Sequence, residues 1–108
     1  MVNTATILRI EHKVGNFEAW KGMFDNDPID RQKSGVRRYR ILRATDDPNY
    51  VMIDLEFDGL KEAENVRSAL HNLWGTPEAQ KVMQNPQLRI VELIETKAYW
   101  WLDSIAIR

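Results

Sequence analysis

An alternating stretch in the middle of the chain constrains the fold more than any other part of the sequence. Between Tyr50 and Phe57, apolar residues alternate with polar or charged ones, which is typical of a strand with one covered face. The residues of the apolar face are Val51, Ile53, Leu55 and Phe57. Together with the residues before it, this stretch predicts a β-hairpin over Val36–Phe57. Its turn is expected at Asp46–Asn49, because Asp, Pro and Asn favour turn conformations.

The sequence also predicts which residues of the two hairpin strands face each other. Opposed residues must lie on the same face, and a turn centred near Asp47 places Ile41 opposite Ile53 and Tyr39 opposite Leu55. The same register on the other face pairs Leu42 with Met52, Arg40 with Asp54, and Arg38 with Glu56. Two of these pairs join opposite charges, and a favourable cross-strand pair contributes ~0.2–1 kcal/mol.

The arginines of the hairpin have two interpretations. They are Arg37, Arg38, Arg40 and Arg43. Four guanidinium groups so close together are compatible with an anion site. We favour ion pairing over an anion site, because Asp54 and Glu56 are supplied on the opposite strand.

A strand and two helices are predicted before the hairpin. Thr6–Val14 has the pattern of a strand, with Leu8 and Ile10 on one face. Asn16 is a helix cap, and the apolar spacing after it predicts a helix that ends near Asp25. Asp27-Pro28 then predicts the start of a short second helix over Ile29–Ser34, ending at Gly35.

Two helices and a strand are predicted after the hairpin. Asp58 is expected to cap a long helix that ends at Gly75, with a short helix following from Thr76-Pro77 to about Met83. The apolar stripe of the long helix consists of Leu60, Ala63, Val66, Leu70 and Leu73. Leu88–Glu95 is the last main strand, and the aromatic and β-branched tail Tyr99–Ile107 predicts a fifth.

This order of elements predicts an α+β fold with a ferredoxin-like βαββαβ antiparallel sheet. Both main helices would cover one face, and the first and third strands would be central. A chain of 108 residues is one domain. We expect the ferredoxin-like domain over residues 1–95 and a C-terminal strand or tail over residues 96–108 that contacts a partner subunit.

The uncovered face of this sheet predicts a homodimer. A solvated sheet face would hold fewer Ile and Met side chains, and a two-fold copy of the same face would cover them. The alternative is a monomer with an ion-paired, solvated sheet and the tail folded over it. The residues expected on the open face are Ile7, Arg9, Glu11, Arg38, Arg40, Leu42, Tyr50, Met52, Asp54, Glu56 and either Ile90 and Ile94 or their neighbours.

Composition excludes several classes of function. The net charge of −1 favours neither nucleic acid nor an anionic membrane as a partner. The chain has no cysteine, which removes thiol chemistry and fits a cytoplasmic location. The two histidines, His12 and His71, are far apart and lack carboxylates at metal-binding spacing, so no metal and no cofactor are expected. No signal peptide or membrane span is expected either.

Several segments together resemble the dimeric α+β barrel superfamily, and within it the small proteins of the antibiotic-biosynthesis-monooxygenase type. They are Asp27-Pro28 followed by Gly35-Val36, the strand VRRYRILR, the turn DDPN and the strand YVMIDLEF. The resemblance covers Thr6 to about Glu95 and implies two sheets packed face to face in a homodimer. Members include cofactor-free oxygenases of aromatic polyketides, haem-degrading enzymes and isomerases.

The resemblance implies a small-molecule-binding barrel protein, with cofactor-independent monooxygenation of an aromatic substrate as its activity. The alternatives are a non-catalytic structural or regulatory dimer with a filled pocket, or a haem-binding relative with His71 as the iron ligand. Whether the chain is an enzyme stays open at this point, and no catalytic residue is assigned. No phosphate loop or nucleophile elbow is present.

Ligands of that superfamily commonly lie between the helices and the sheet, which implies a set of substrate-binding residues. They are Asn16, Trp20, Tyr39, His71 and Trp74, with His12 at a strand end. Four of the five substrate-binding candidates also have a simpler structural interpretation. Asn16 would be a helix cap, the two tryptophans core aromatics, and His71 a surface histidine.

Overall fold

The computed structural model describes residues 5–99, which form an α+β fold of the ferredoxin-like kind. The elements are β1 (Thr6–Val14), α1 (Phe17–Asp25), β2 (Arg38–Ala44), β3 (Asp47–Phe57), α2 (Leu60–Trp74), α3 (Pro77–Val82) and β4 (Met83–Glu92). The sheet is antiparallel with strand order β2-β3-β1-β4. The first and third strands are therefore central, as the sequence predicted.

The hairpin register is the one predicted from the alternating pattern. All five expected pairs are present, including Arg40 opposite Asp54 and Arg38 opposite Glu56. The predicted turn was placed too late: β3 begins at Asp47, so Thr45 and Asp46 form the turn. A register shift after Arg43 shortens the connection, and Pro48 and Asn49 lie within β3.

The covered face of the sheet holds the hydrophobic core. Leu8, Val51 and Phe57 are at most 1% exposed, and residues of both α1 and α2 pack against them. Side chains of a strand alternate between the two faces, which is why the period-two pattern located this core. Trp20 is the buried residue of α1, while α2 buries Ala63, Val66 and Leu70.

The segment between α1 and β2 is not the short helix predicted over Ile29–Ser34. Asp27 and Asp30 both have a φ of 54°, a left-handed conformation that interrupts a right-handed helix. Local bonds hold the segment as a series of turns: the Asp27 carboxylate accepts from the backbone N–H of Arg31 at 2.8 Å. The loop ends at Gly35, whose φ is 100°.

The two ends of α2 differ in how well the sequence predicted them. Gly75 follows its last residue as expected, but Asp58 is not its N-cap. The helix begins after Gly59, and the Asp58 carboxylate accepts from Nε of Arg37 at 2.9 Å. Leu60 is 54% exposed and lies outside the apolar stripe. The short α3 does begin at Pro77, and the Thr76 hydroxyl accepts from the N–H of Ala79.

The last strand begins earlier than Leu88 and ends earlier than Glu95, the bounds predicted for it. It covers Met83–Glu92 and lies at the edge of the sheet. An edge strand tolerates Pro86, which lacks a backbone N–H, and a register shift opposite Glu11–Lys13 accommodates the irregularity.

On β4, the residues that face the open side of the sheet are the neighbours of Ile90 and not Ile90 itself. Ile90 pairs with Leu8 on the face that the helices cover. Its neighbours Arg89 and Val91 pair with Arg9 and Ile7 and therefore lie on the open face. Ile94 lies beyond the strand and is 73% exposed.

The predicted fifth strand, Tyr99–Ile107, lies outside the described residues except for Tyr99, which is 81% exposed and not in a strand. The expected contact of residues 96–108 with a partner therefore stays a prediction. Over residues 5–99, no helix has the length and apolar character that crossing a membrane requires.

Candidate functional site

A small apolar cleft lies between the covered face of the sheet and helices α1 and α2. Its volume is about 60 Å³, and we call it the helix–sheet cleft. Side chains of α1 (Trp20, Met23, Phe24) and α2 (Leu70, Leu73, Trp74) form its helical walls, and Ile10, Ile53 and Leu55 form its floor. Two of the lining residues can carry a full charge, His12 of β1 and Arg31 of the loop after α1.

Aromatic rings form a continuous row beside the cleft. The ring of Trp20 meets His12 edge-on at 5.7 Å between centroids and Phe24 in a tilted arrangement at 5.3 Å. Phe24 in turn meets the ring of Tyr39 edge-on at 5.0 Å. These separations fall in the favourable range for aromatic pairs, so the row gives the cleft a rigid wall.

His12 is a buried histidine in the lining of the cleft. It is 2% exposed, and its Nδ1 lies 3.1 Å from the backbone carbonyl oxygen of Lys13. Burial lowers its pKa from the ordinary 6.5, against the smaller effect of this backbone hydrogen bond. The imidazole is therefore neutral at pH 7, as buried histidines without an acidic partner are.

Arg31 closes the loop side of the cleft. Its guanidinium carbon lies 3.8 Å from the centroid of the Phe24 ring and 5.0 Å from that of Tyr39. One nitrogen, Nη1, donates to the carbonyl oxygen of Phe24 at 2.8 Å and lies 3.5 Å from the Asp27 carboxylate. Stacking on aromatic faces leaves the edge of the guanidinium free to donate hydrogen bonds.

The structure brings two of the five predicted substrate-binding residues into the cleft. Trp20 and Trp74 line it, and His12 lines it with them. Asn16 lies at the start of α1, where its side chain accepts from the N–H of Ala19 at 2.8 Å. Tyr39, 43% exposed on edge strand β2, is the last ring of the aromatic row and does not line the cleft. His71 is exposed on α2, with its ring 5.9 Å from that of Trp74.

Sequence reasoning missed Arg31 as a lining residue. The residue was assigned to a helix that does not form, and its position depends on the left-handed turns at Asp27 and Asp30. No periodic pattern in the sequence encodes such turns. The one sequence feature that could have indicated its role is that Arg31 lies, along the chain, between the aromatic residues of α1 and Tyr39.

The arginines of the hairpin region are mostly engaged in ion pairs, as we predicted. Arg38 pairs with Glu56 at 3.0 Å. Arg40 and Arg9 both donate to the Asp54 carboxylate, at 3.1 and 2.8 Å. Hydrogen bonds from Arg9 lower the pKa of Asp54, with Arg40 adding to the effect and burial opposing it. Arg43 places its guanidinium 4.7 Å from the Phe17 ring instead.

The part of the chain that the structure describes contains no cluster of metal-ligating side chains. Within residues 5–99, no three histidine, aspartate or glutamate side chains come together as a metal site would require. The cleft lining contains the nitrogen-bearing side chains of His12, Arg31, Trp20 and Trp74.

Comparison with known proteins shows the fold. No family model and no curated protein matches the sequence. Among solved structures, the chain is similar to SnoaB, a cofactor-independent oxygenase from Streptomyces nogalater, with a TM-score of 0.61 and 10% identity over 90% of this chain and 97% of that one. A candidate antibiotic biosynthesis monooxygenase from Nitrosomonas europaea has a TM-score of 0.57 and 16% identity, covering 84% and 91%.

A third similar structure is a dimeric ferredoxin-like protein from an uncultured marine organism. Its TM-score is 0.62 with 8% identity, covering 90% of this chain and 94% of that one. At such identities the similarity concerns the fold alone. The fold is thus the ferredoxin-like one found in proteins of the antibiotic-biosynthesis-monooxygenase type, as the sequence resemblance implied.

Proposed function

We propose that this chain forms a homodimer in which each subunit binds a small, largely apolar or aromatic molecule in the helix–sheet cleft. The observation that carries this proposal is the lining: an apolar cleft with an aromatic wall, one buried neutral histidine and one stacked arginine. Ligand pockets typically combine such apolar surfaces with a few convergent polar groups. The similarity in fold to a cofactor-independent oxygenase is consistent with this kind of function but adds no residue roles.

The chemistry that fits this cleft best is cofactor-independent oxygenation of an electron-rich aromatic ligand. The aromatic wall would orient the ring, and orientation alone is a large part of catalysis when the ligand itself is reactive. The positive charge of the Arg31 guanidinium would stabilise negative charge developing on a ligand oxygen. No step in this scheme needs a metal ligand.

The size of the cleft limits the ligand. About 60 Å³ is less than the roughly 150 Å³ of an engineered apolar cavity that binds benzene. Binding of even a single ring therefore requires the half-buried side chains at the cleft wall, Met23, Leu73 and Trp74, to move outward. These three side chains are partly solvent-accessible, and methionine adapts its shape easily.

The small volume also favours a second candidate function. A non-catalytic structural or regulatory dimer would keep its interior filled by its own side chains, and 60 Å³ is close to that condition. No observation on residues 5–99 favours the haem-binding alternative, since His71 is exposed and lies outside the cleft lining. The cytoplasmic location expected from the sequence stays a prediction.

Tryptophan fluorescence separates the first two candidates. Of the four tryptophans, Trp20 and Trp74 line the cleft, so a background with Trp100→Phe and Trp101→Phe leaves only reporters of the cleft. Titration with toluene, phenol and hydroquinone should give a saturable change in this protein. Leu60→Phe, which enlarges an exposed side chain of α2 outside the cleft, is the matched control for a substitution that fills the cleft.

The expected pattern also includes loss of binding when the cleft is filled. Leu73→Phe should remove the saturable change, because it adds volume where the free volume is small and leaves the two tryptophan reporters unchanged. Hydroquinone oxidation, followed as oxygen uptake without added metal, then tests the catalytic part. If none of the ligands gives a saturable change, the filled-pocket dimer is the correct account.

A further inference from the structure

His12 has one ring nitrogen engaged and one without a protein partner among the described residues. Nδ1 lies 3.1 Å from the Lys13 carbonyl oxygen, and Nε2 makes no hydrogen bond to any of residues 5–99. A carbonyl oxygen only accepts, so Nδ1 carries the proton. Because the ring is neutral, Nε2 carries an unshared electron pair and no proton.

This acceptor is buried. His12 is 2% exposed and its side chain lines the cleft, and Nε2 is on the edge of the ring away from Cβ. A buried acceptor without a donor costs about 1–3 kcal/mol relative to one that is hydrogen-bonded. A molecule that brings a donor into the cleft recovers this cost, while a purely apolar molecule does not.

Among the side chains of the lining, no other offers a comparable acceptor. The polar groups of its other side chains are donors: the indole N–H groups of Trp20 and Trp74 and the guanidinium of Arg31. Met23 and Met83 contribute only thioether sulfur, a weak acceptor. A ligand hydroxyl group can therefore donate its proton to Nε2 of His12. Its oxygen can accept a hydrogen bond from one of the donors in the lining.

From these observations we infer that His12 is the specificity-determining residue of the cleft, and that it selects one-ring ligands that carry a hydroxyl donor. The hydroxyl donates to Nε2, the ring lies against Trp20, and the tautomer that makes this contact is fixed by the Lys13 carbonyl. This inference rests on the proposed ligand-binding function. It adds a rule that the function alone does not contain: phenol is accepted in preference to its apolar counterpart.

The test compares phenol with toluene, which have nearly the same shape but differ in the donor. Dissociation constants are measured by tryptophan fluorescence in the Trp100→Phe, Trp101→Phe background, with and without His12→Phe. Phenylalanine keeps a ring of similar size against Trp20 and removes both nitrogens. The phenol-to-toluene preference should fall by about 3- to 10-fold in the variant, which corresponds to the net value of one hydrogen bond.

A second measurement needs no cleft variant and remains decisive if His12→Phe fails to fold. The chain has two histidines, so long-range ¹H–¹⁵N spectra give four ring-nitrogen signals, assigned with a His71→Gln sample. The free protein should show His12 with Nδ1 protonated and Nε2 unprotonated. Saturating phenol should shift the Nε2 signal in the direction of an accepted hydrogen bond, while toluene should leave it nearly unchanged.

The outcomes separate this inference from the function on which it rests. If both ligands bind and the preference is the same with and without His12→Phe, the inference is wrong and the proposed binding function stands. If the free protein shows Nε2 protonated, the inference is also wrong. If neither ligand binds, both proposals fall together, because the cleft is then a filled interior.

Discussion

His12 is the residue whose chemistry differs most from that of the same side chain in water. Burial against Trp20 lowers its pKa, and the one hydrogen bond that it makes within the described residues is too weak to reverse this. The sequence placed His12 at a strand end, and the structure adds the hydrogen bond of its Nδ1 to the backbone carbonyl oxygen of Lys13. Its role in the cleft was harder to predict, because a period-two pattern gives a face but not the neighbours on it.

The lowered pKa of His12 makes the stability of the fold depend on pH in a definite direction. In the unfolded chain the residue titrates near its ordinary 6.5, and in the folded protein below it. Between these two values the unfolded state binds more protons, so the free energy of unfolding should fall as the pH decreases through 6.5. Above the unfolded pKa this contribution is complete and flat.

Urea unfolding at several pH values from 8 down to about 5 measures this effect. His12→Phe should remove most of the slope in that window, while His71→Gln, which changes an exposed ring, should keep it. Equal slopes in the wild-type protein and His12→Phe would show that His12 titrates normally.

At the scale of elements, the sequence predicted what periodicity and capping encode. The hairpin register could be predicted because apolar residues that oppose each other must lie on the same face of the sheet. The helix caps Asn16 and Thr76 could be predicted because their side-chain oxygens accept hydrogen bonds from the first turn of the helix. The predictions of a helix over Ile29–Ser34 and of a last strand that begins at Leu88 were wrong. Left-handed turns at aspartates and a proline inside an edge strand depend on tertiary position, which local pattern does not contain.

The candidate site was predictable to a similar degree. Trp20 and Trp74 were found because apolar spacing on a helix identifies the covered face. Arg31 was missed because its position follows from the irregular loop. The same loop ends at Gly35, where the chain turns into β2 next to the side chain of Glu62.

Gly35 should be the glycine of this region that least tolerates a side chain. Its φ is 100°, and a Cβ there would lie 3.0 Å from Cγ and 3.2 Å from Cβ of Glu62. Gly35→Ala is expected to lower the free energy of unfolding by about 1–3 kcal/mol, the usual cost of such backbone strain. Thermal or urea unfolding gives the value.

Gly22 is the matched control for this substitution. It lies inside α1, and an added Cβ meets nothing within 4 Å. Gly22→Ala should therefore leave stability unchanged or raise it by up to about 1 kcal/mol, the difference in helix propensity. Equal effects of the two substitutions would contradict the conformation of the loop before β2.

At the scale of the whole molecule, the open face of the sheet is the main argument for a homodimer. At its centre, Asp54 is 4% exposed beneath the guanidinium groups of Arg9 and Arg40. Apolar Met52 and Leu42 lie directly opposite each other beside this network. The apolar side chains of this face support the proposed face-to-face pairing, because a second copy of the face would cover them.

A carboxylate at Met52 should disrupt this dimer. Met52→Glu would bury an unpaired charge opposite Leu42 and beside Glu11, so dimerisation should weaken by more than about tenfold. Leu60→Glu is the control, because Leu60 is already 54% exposed on α2. Sedimentation equilibrium over micromolar concentrations reads the result; a wild-type chain that is already monomeric there would rule out the proposed dimer.

The central claim is that the space between the helices and the sheet receives a ligand, and a crystal structure with phenol tests it most directly. We expect ring density against Trp20, the hydroxyl oxygen within hydrogen-bond distance of Nε2 of His12, and Trp74 or Met23 moved outward relative to the ligand-free crystal. A cleft that stays closed at saturating phenol, with its side chains filling about the same space in both crystals, would contradict it.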